Sequence, residues 1–290
     1  MKKFLIVAVA AASLGLSACG AQATLDQTVS SLGSTADLQV HLTISAAGAG
    51  TAQAQKILSA LSVDVDYSNP TGSALSQSDG KANAEVIVNA GGAPVIDLRD
   101  VDESLYVEID VSALNNIPSV NLSSTELAAA QLLLGGRWFE LPTSLLTSSF
   151  SATSKIKAEA AQEQVASKEI ADAIEKVIDT SPYTTLPSGG FSETGSLQPI
   201  VTAVLPTIES LTNSSEQPGT VKGSYTIVLT TSGSTATGAS IKITAPTGTK
   251  GNASVQLTAT IAHANDSIVA PSGATVLTRS MLEGLLAQAK

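Results

Sequence analysis

Ala82-Asn-Ala-Glu-Val-Ile-Val-Asn-Ala-Gly-Gly-Ala-Pro-Val-Ile-Asp-Leu-Arg-Asp-Val-Asp-Glu-Ser-Leu-Tyr-Val-Glu-Ile-Asp-Val111 reads as three strands and two turns in order. Ala82, Ala84, Val86 and Val88 recur at every second position, the period of a strand with one buried face. Asn89-Ala90-Gly91-Gly92 turns the chain, because paired glycines accept the positive φ that a tight hairpin needs. Val95 to Val101 and Leu105 to Val111 are two further strands, with Asp102-Glu103-Ser104 between them and Leu105, Val107 and Ile109 facing inward. The result is an antiparallel meander with one wet side.

Strands flank this block on both sides. From Asp37 to Ser45, Leu38, Val40, Leu42 and Ile44 alternate with polar partners. Thr51 to Leu61 reads as a short helix with Ile57, Leu58 and Leu61 on one face; Ser62 to Tyr67 either extends it or begins a strand. In the last third, Gly223 to Thr231, Ala239 to Ala245 and Ala253 to Ala262 are strands, and Ile268 to Leu277 is a shorter one interrupted by Pro271-Ser272-Gly273.

The middle of the chain is helical. Ser123-Ser124-Thr125-Glu126 has capping-box spacing and opens a helix from Thr125 to Leu134, which Gly135-Gly136 ends. Arg137 to Leu141 is a strand stopped by Pro142. A long helix is expected from about Ser154 to Asp179, with Ile170, Ile174, Val177 and Ile178 on one stripe. Ser181 to Ser196 is a Gly/Pro/Ser loop. Ile200, Val201, Val204, Leu205, Ile208 and Leu211 then fit an amphipathic helix that Pro206 should kink or divide. Ser280-Met281-Leu282-Glu283 is a second capping box and opens a terminal helix. Strands, then helices, then strands make an α+β fold: a large antiparallel sheet with helices gathered on one face.

Composition narrows the function. Hydrophobic residues make up 43% of the chain but aromatics only 3%, so the interior is aliphatic and leaves space easily. The formal net charge is −10, and loss of Lys2 and Lys3 with a cleaved leader would make the remainder more acidic still. Such a surface disfavours nucleic acid and gives no pull towards anionic lipid. Cys19 is the one cysteine, so no intrachain disulfide forms.

That cysteine has a context. Met1-Lys2-Lys3 is a positive start, Phe4 to Leu16 an apolar run, and Leu16-Ser17-Ala18-Cys19 follows at once. These are the three parts of a secretory signal, and the run is too short to span a bilayer. The stretch resembles the bacterial lipobox, which implies that the Cys19 thiol is diacylated, that the chain is cut between Ala18 and Cys19, and that the new amine can take a further palmitate-like chain. Two or more chains give lasting anchorage to a membrane, where one does not. The expected organisation is a lipoprotein signal peptide over residues 1–18, an acylated tether over 19–33, and a single α+β domain over 34–290. The anchor places the chain at the extracytoplasmic face of the cell membrane.

The stretch Val101-Asp-Glu-Ser-Leu-Tyr-Val-Glu-Ile-Asp110, then a helix, then Gly135-Gly-Arg-Trp-Phe-Glu-Leu-Pro142, resembles recurring patterns in actinobacterial cell-envelope lipoproteins. These are the LppX/LprAFG-type carriers, more distantly similar to LolA/LolB. The resemblance implies a large curved antiparallel sheet, a half-barrel, with helices covering the concave face. It also implies an apolar cavity for a lipid, lipoglycan or other amphiphile. Lining would fall to Val40, Leu42, Val107, Ile109, Ile170, Ile174, Val177, Val204, Leu205, Ile208, Leu257 and Ile261. The same residues would serve equally to fill a solid core. The Ser181–Ser196 loop and Pro206 make this region the natural moving lid.

Nothing in the sequence points to catalysis, a metal or a cofactor. His41 is out of phase with Leu38, Val40 and Leu42 and should point away from that face. His263 is in phase with Val255, Leu257, Ala259 and Ile261 but sits at the strand's end, as an edge or mouth residue. No Gly-x-Ser-x-Gly elbow is present. Asp97, Asp100, Asp102 and Glu103 cluster at a turn. Calcium takes about six to eight oxygens, but EF-hand spacing is lacking and a solvated hairpin tip explains the cluster. Gly48, Gly50 and Gly91-Gly92 are turn glycines, not a phosphate loop. The expected role is a non-enzymatic carrier. The alternative is a structural or assembly lipoprotein that engages an envelope protein through an exposed apolar patch.

Overall fold

The computed structural model describes residues 30–142 and 168–281, apart from 79–80, 103, 118–119, 121, 171, 175, 178–182, 213–218, 248–250, 264–266 and 279. Ala18 and Cys19 lie outside the described residues, as does most of the helix expected from Ser154. Of the expected tether, residues 30–33 are helical and Leu32 is buried.

Twelve strands share one open sheet, in the order β12-β6-β5-β4-β3-β2-β1-β11-β10-β9-β8-β7. They are β1 (Asp37–Gly48), β2 (Leu61–Ser68), β3 (Asn83–Ala90), β4 (Ala93–Val101), β5 (Ser104–Ile109), β6 (Phe139–Pro142), β7 (Thr184–Thr185), β8 (Phe191–Ser196), β9 (Ser224–Ser232), β10 (Thr235–Pro246), β11 (Asn252–Ala262) and β12 (Thr275–Val276). β12 runs parallel to β6; consecutive strands pair antiparallel from β2 to β6 and from β7 to β11. The helices are α1 (Ala52–Leu58), α2 (Ser124–Leu134), α3 (residues 168–177) and α4 (Leu197–Thr212). This is the α+β class expected from the sequence. Among the described residues no helix is long and apolar enough to cross a membrane.

The chain divides into two compact units whose segments interleave. One, the meander unit, holds β2–β6, β12 and the first residues of β1, Asp37 to Thr43, which pair with β2. The other, the helix-bearing unit, holds the rest of β1, the first residues of α1, β7–β10, β11 up to Ile261, α3 and α4.

In the meander unit the two tight turns are built as expected. Gly91 and Gly92 both have positive φ (59° and 81°) between the paired Ala90 and Ala93, the geometry of a type I′ hairpin. Asp102 adopts φ 49° at the next turn, a conformation that aspartate tolerates better than most residues. The Ser123 hydroxyl accepts from the Glu126 backbone while the Glu126 carboxylate accepts from Ser123 N, so the capping box forms.

Four expectations need correction. The helix after Thr51 ends at Leu58 with no buried residue, and Leu61 opens β2 instead of closing a helical face. The Ser181–Ser196 loop contains a hairpin. Gly189 and Gly190 turn it at φ 86° and 96°, and Phe191 and Glu193 on β8 are buried. Pro206 does not divide its helix, which runs unbroken from Leu197 to Thr212 with Pro206 on the exposed side. Finally, the meander's second side is not simply wet. Val101 and Tyr106 are buried there against Ile268, with Trp138 and Ala274 packed around them.

The other cores are small. Ala90, Val95 and Ala113 form one in the meander unit. In the helix-bearing unit Leu197 and Tyr225 are packed by Ile174, Ile200 and Ile227, so α3 and α4 share one face of the β9 region.

Candidate functional site

Cross-strand register sorts the meander's side chains onto two faces. Leu38, Val40 and Leu42 stand opposite Tyr67, Val65 and Val63, and these opposite Ala84, Val86 and Val88. The band continues through Leu98 and Ile96 on β4, Leu105, Val107 and Ile109 on β5, and Phe139 and Leu141 on β6. One apolar face therefore crosses six strands, and β-branched aliphatics dominate it because they fit a pleated surface.

Its burial is graded. On β1 and β2, Leu38, Val40, Val65 and Tyr67 are buried. From β3 to β6 every described side chain of the band is only half-buried. Burial raises the Tyr67 phenol above its usual range. Among the apolar side chains stands one carboxylate, Asp100, in the row Leu38–Tyr67–Ala84–Asp100–Leu105–Leu141. It is half-buried, and loss of solvent pushes its carboxyl up.

The reverse face is acidic. Glu85 and Asp97 both hold Arg99, at 2.6 Å to Nε and 3.2 Å to Nη2, and the Arg99 guanidinium lies 4.6 Å from the centroid of the Trp138 ring. Burial raises the Glu85 pKa first and Asp97 adds to it, while Arg99 opposes both. His41 points to this side as expected. Its Nδ1 lies 2.5 Å from Asp64 Oδ1, and Asp64 Oδ2 accepts from Asn89 Nδ2 at 2.6 Å. His263 is half-exposed, with Nδ1 4.0 Å from Asp37 Oδ1. Asp97 and Asp100 point to opposite faces, so the acidic turn does not converge. Among the described residues no three of His, Cys, Asp and Glu come together as a metal set.

A cleft of about 480 Å³ lies at the end of these strands, lined by Asp37, Asn69, Asn83, Asp102 and Ile268 among others. Asn83 Nδ2 donates to the Ile268 carbonyl at 2.9 Å, and the Ser68 hydroxyl accepts from Ile268 N at 3.3 Å. The cleft's lining mixes these polar groups with Val101, Ile268 and Val269, and it does not include Val40, Leu42, Val107 or Ile109.

The helix-bearing unit has its own apolar face. Leu257 stands opposite Ile241, and Ile241 opposite Ile227; Val255, Ile243 and Tyr225 form the adjacent row. Ile174 packs on this region, while Ile170, Val177, Val204, Leu205 and Ile261 are half-buried. The Ile208 side chain lies outside the described residues. The face is sealed at β8 and β9 and opens at Ile243 and Val255, which are 45% and 47% exposed. Within the sealed part Glu193 is 1% exposed, and its Oε1 accepts from the Tyr225 hydroxyl at 2.5 Å. Gly195, opposite Tyr225, leaves room for the ring to reach it: a Cβ there would stand 2.5 Å from ring atoms.

Asp100 and Glu193 were the residues that pattern reading missed. Asp100 hides among acidic neighbours, and only its phase with Ile96 and Leu98 marks it. Glu193 lies in a stretch of loop composition, and only the alternation of Phe191, Glu193 and Gly195 with Ser192, Thr194 and Ser196 marks a strand.

No family model and no curated protein matches this chain. Among solved structures, it is similar to the Mycobacterium tuberculosis lipoprotein LppX, at 12% identity and a TM-score of 0.30, over 86% of this chain and 97% of that one. The likeness is distant and concerns the fold alone.

Proposed function

We propose that this chain is a cell-envelope lipoprotein, anchored through acylated Cys19, that binds and carries an amphiphile on its apolar sheet face without catalysing a reaction. The observation that carries the reading is the half-buried band from β3 to β6. A band with only a structural duty gains by being fully covered, since apolar area removed from water is worth about 25 cal/mol per Å². Held half-open, it keeps that gain for a guest: each methylene of an acyl chain laid on it contributes about 0.8 kcal/mol. The lining residues are then Val40, Leu42, Val107 and Ile109 in the meander unit, with Leu257 and the α3 and α4 stripe serving in the other.

Native mass spectrometry of protein purified from its own host tests this. A co-purified lipid is the expected result; its absence, together with no uptake of an added alkyl chain, refutes the carrier. Cys19→Ser should shift the chain from the membrane to the soluble fraction.

A second reading rests on Ile243 and Val255, an exposed cross-strand pair of large aliphatic residues. They would form the centre of a contact with an envelope protein. Site-specific crosslinking from position 243 in cells yields a discrete adduct if that reading holds and none if the carrier acts alone.

A further inference from the structure

Among the described residues Asp100 is the single charged group on the meander unit's apolar face: register places only apolar side chains, Tyr67 and Asp100 there. Its neighbours in the row are Ala84 on β3 and Leu105 on β5, neither of which donates a side-chain hydrogen bond. Among the described residues its carboxylate meets no side-chain hydrogen-bond or ion-pair partner, in contrast to Asp64, Asp97 and Asp110, and the charge that acts on it is the chain's N-terminal cation, which opposes the rise from burial. Placing a carboxylate among half-buried aliphatics is unfavourable unless a partner compensates it. An aliphatic residue at position 100 would continue the pattern of Ile96 and Leu98 without that cost. Ala84, with its small side chain, separates Asp100 from Tyr67 two strands away and leaves space beside the carboxylate.

We propose that Asp100 accepts the head group of the amphiphile whose chain lies over β3–β5, and that it selects a head that donates hydrogen bonds and carries no negative charge. Sugar hydroxyls and ammonium groups share that chemistry. Carboxylate, sulfate and phosphate heads are repelled. The inference rests on the carrier reading and adds to it the polarity of the ligand. Asp100 stands where the band meets the Asp102 turn, so a head placed there faces water while its chain runs back along the apolar side chains. The carboxyl's raised pKa is consistent with a site that a ligand desolvates further.

Displacement of the neutral fluorophore N-phenyl-1-naphthylamine from the purified full chain, using three twelve-carbon probes below their micelle concentrations, tests the idea. Dodecyl maltoside, dodecylammonium and laurate differ in the head alone. The non-anionic probes should displace the dye at concentrations about tenfold lower than laurate, the scale of one charge-assisted hydrogen bond. Asp100→Asn should bring laurate to within about twofold of the maltoside. If the natural head is an ammonium, the same variant weakens dodecylammonium about tenfold; if it is a sugar, the maltoside falls instead. Asp100→Ser gives the same comparison should the amide variant fold poorly. Equal displacement by all three probes, or an order unchanged in both variants, overturns the head-group role and leaves chain binding intact. A dye that does not bind, with none of the probes taken up, removes both.

Discussion

Arg99 lies between two carboxylates and beneath an indole, and its loss exposes the conflict it resolves. In Arg99→Ala, Glu85 and Asp97 would face each other half-buried with no cation, and the stacked Trp138 ring would lose its cover. We expect a loss of about 2–4 kcal/mol by urea unfolding, the range for an ion pair broken on one side and discounted for partial exposure. Glu85 also sets a pH dependence. Its pKa is raised in the folded state, so the folded chain binds that proton more readily than the unfolded one. The associated stability is present at low pH and declines as pH rises from the ordinary glutamate value through the raised one. Urea titrations across this interval should show a shallower decline in Glu85→Gln; an unchanged slope would assign the dependence elsewhere. Gly195 offers a steric test on the other unit. Gly195→Ala puts a methyl into the Tyr225 ring and should cost about 1–3 kcal/mol, whereas the same change at Gly233, which faces open space, acts only through its positive φ.

Elements with a clean period were legible in the sequence, and those decided by composition were not. The meander strands and the α2 capping box follow directly from Val86, Val88, Leu105 and Val107 and from Ser123 and Glu126. The β7–β8 hairpin did not, because its glycines and serines read as loop chemistry. What makes it a hairpin is tertiary: Gly190 approaches the Leu229 carbonyl so closely that a Cβ would lie 2.0 Å away. The opposite error occurred at Pro206. A proline inside a helix forfeits one backbone bond, a penalty of about 3 kcal/mol that predicts a kink or a break, and only the break is absent. The apolar stripe of α4 holds the helix together despite it. Pro206→Ala should therefore stabilise the chain, by about 1–3 kcal/mol in denaturant titration. A neutral or destabilising result would mean that the helix is bent there and that the bend is needed for packing. The site was half legible: phase alone places Val40, Leu42, Val107 and Ile109 on one face, but the extent of their cover depends on contacts that no periodicity records.

At the scale of the whole molecule, the two faces of the meander make opposite predictions about stability and binding. On the reverse face Tyr106 is buried against Ile268, Arg99 is paired with Glu85 and Asp97, and His41 with Asp64. The apolar face is left half-open from β3 to β6, where a side chain contributes little to folding and, in the carrier reading, much to the ligand. Leu98→Gln should therefore cost about 1–2 kcal/mol of stability, since the leucine is not fully removed from water. It should weaken binding of a twelve-carbon probe by about tenfold, because the polar amide meets the chain directly. Tyr106→Ala should do the reverse: a loss of about 3 kcal/mol or more from the cavity it leaves, with probe affinity per folded molecule unchanged. Measuring both variants for unfolding in urea and for probe affinity separates the faces. If Leu98→Gln instead unfolds the protein while probe affinity survives, the apolar band is a core and not a binding surface, and the carrier reading fails with it.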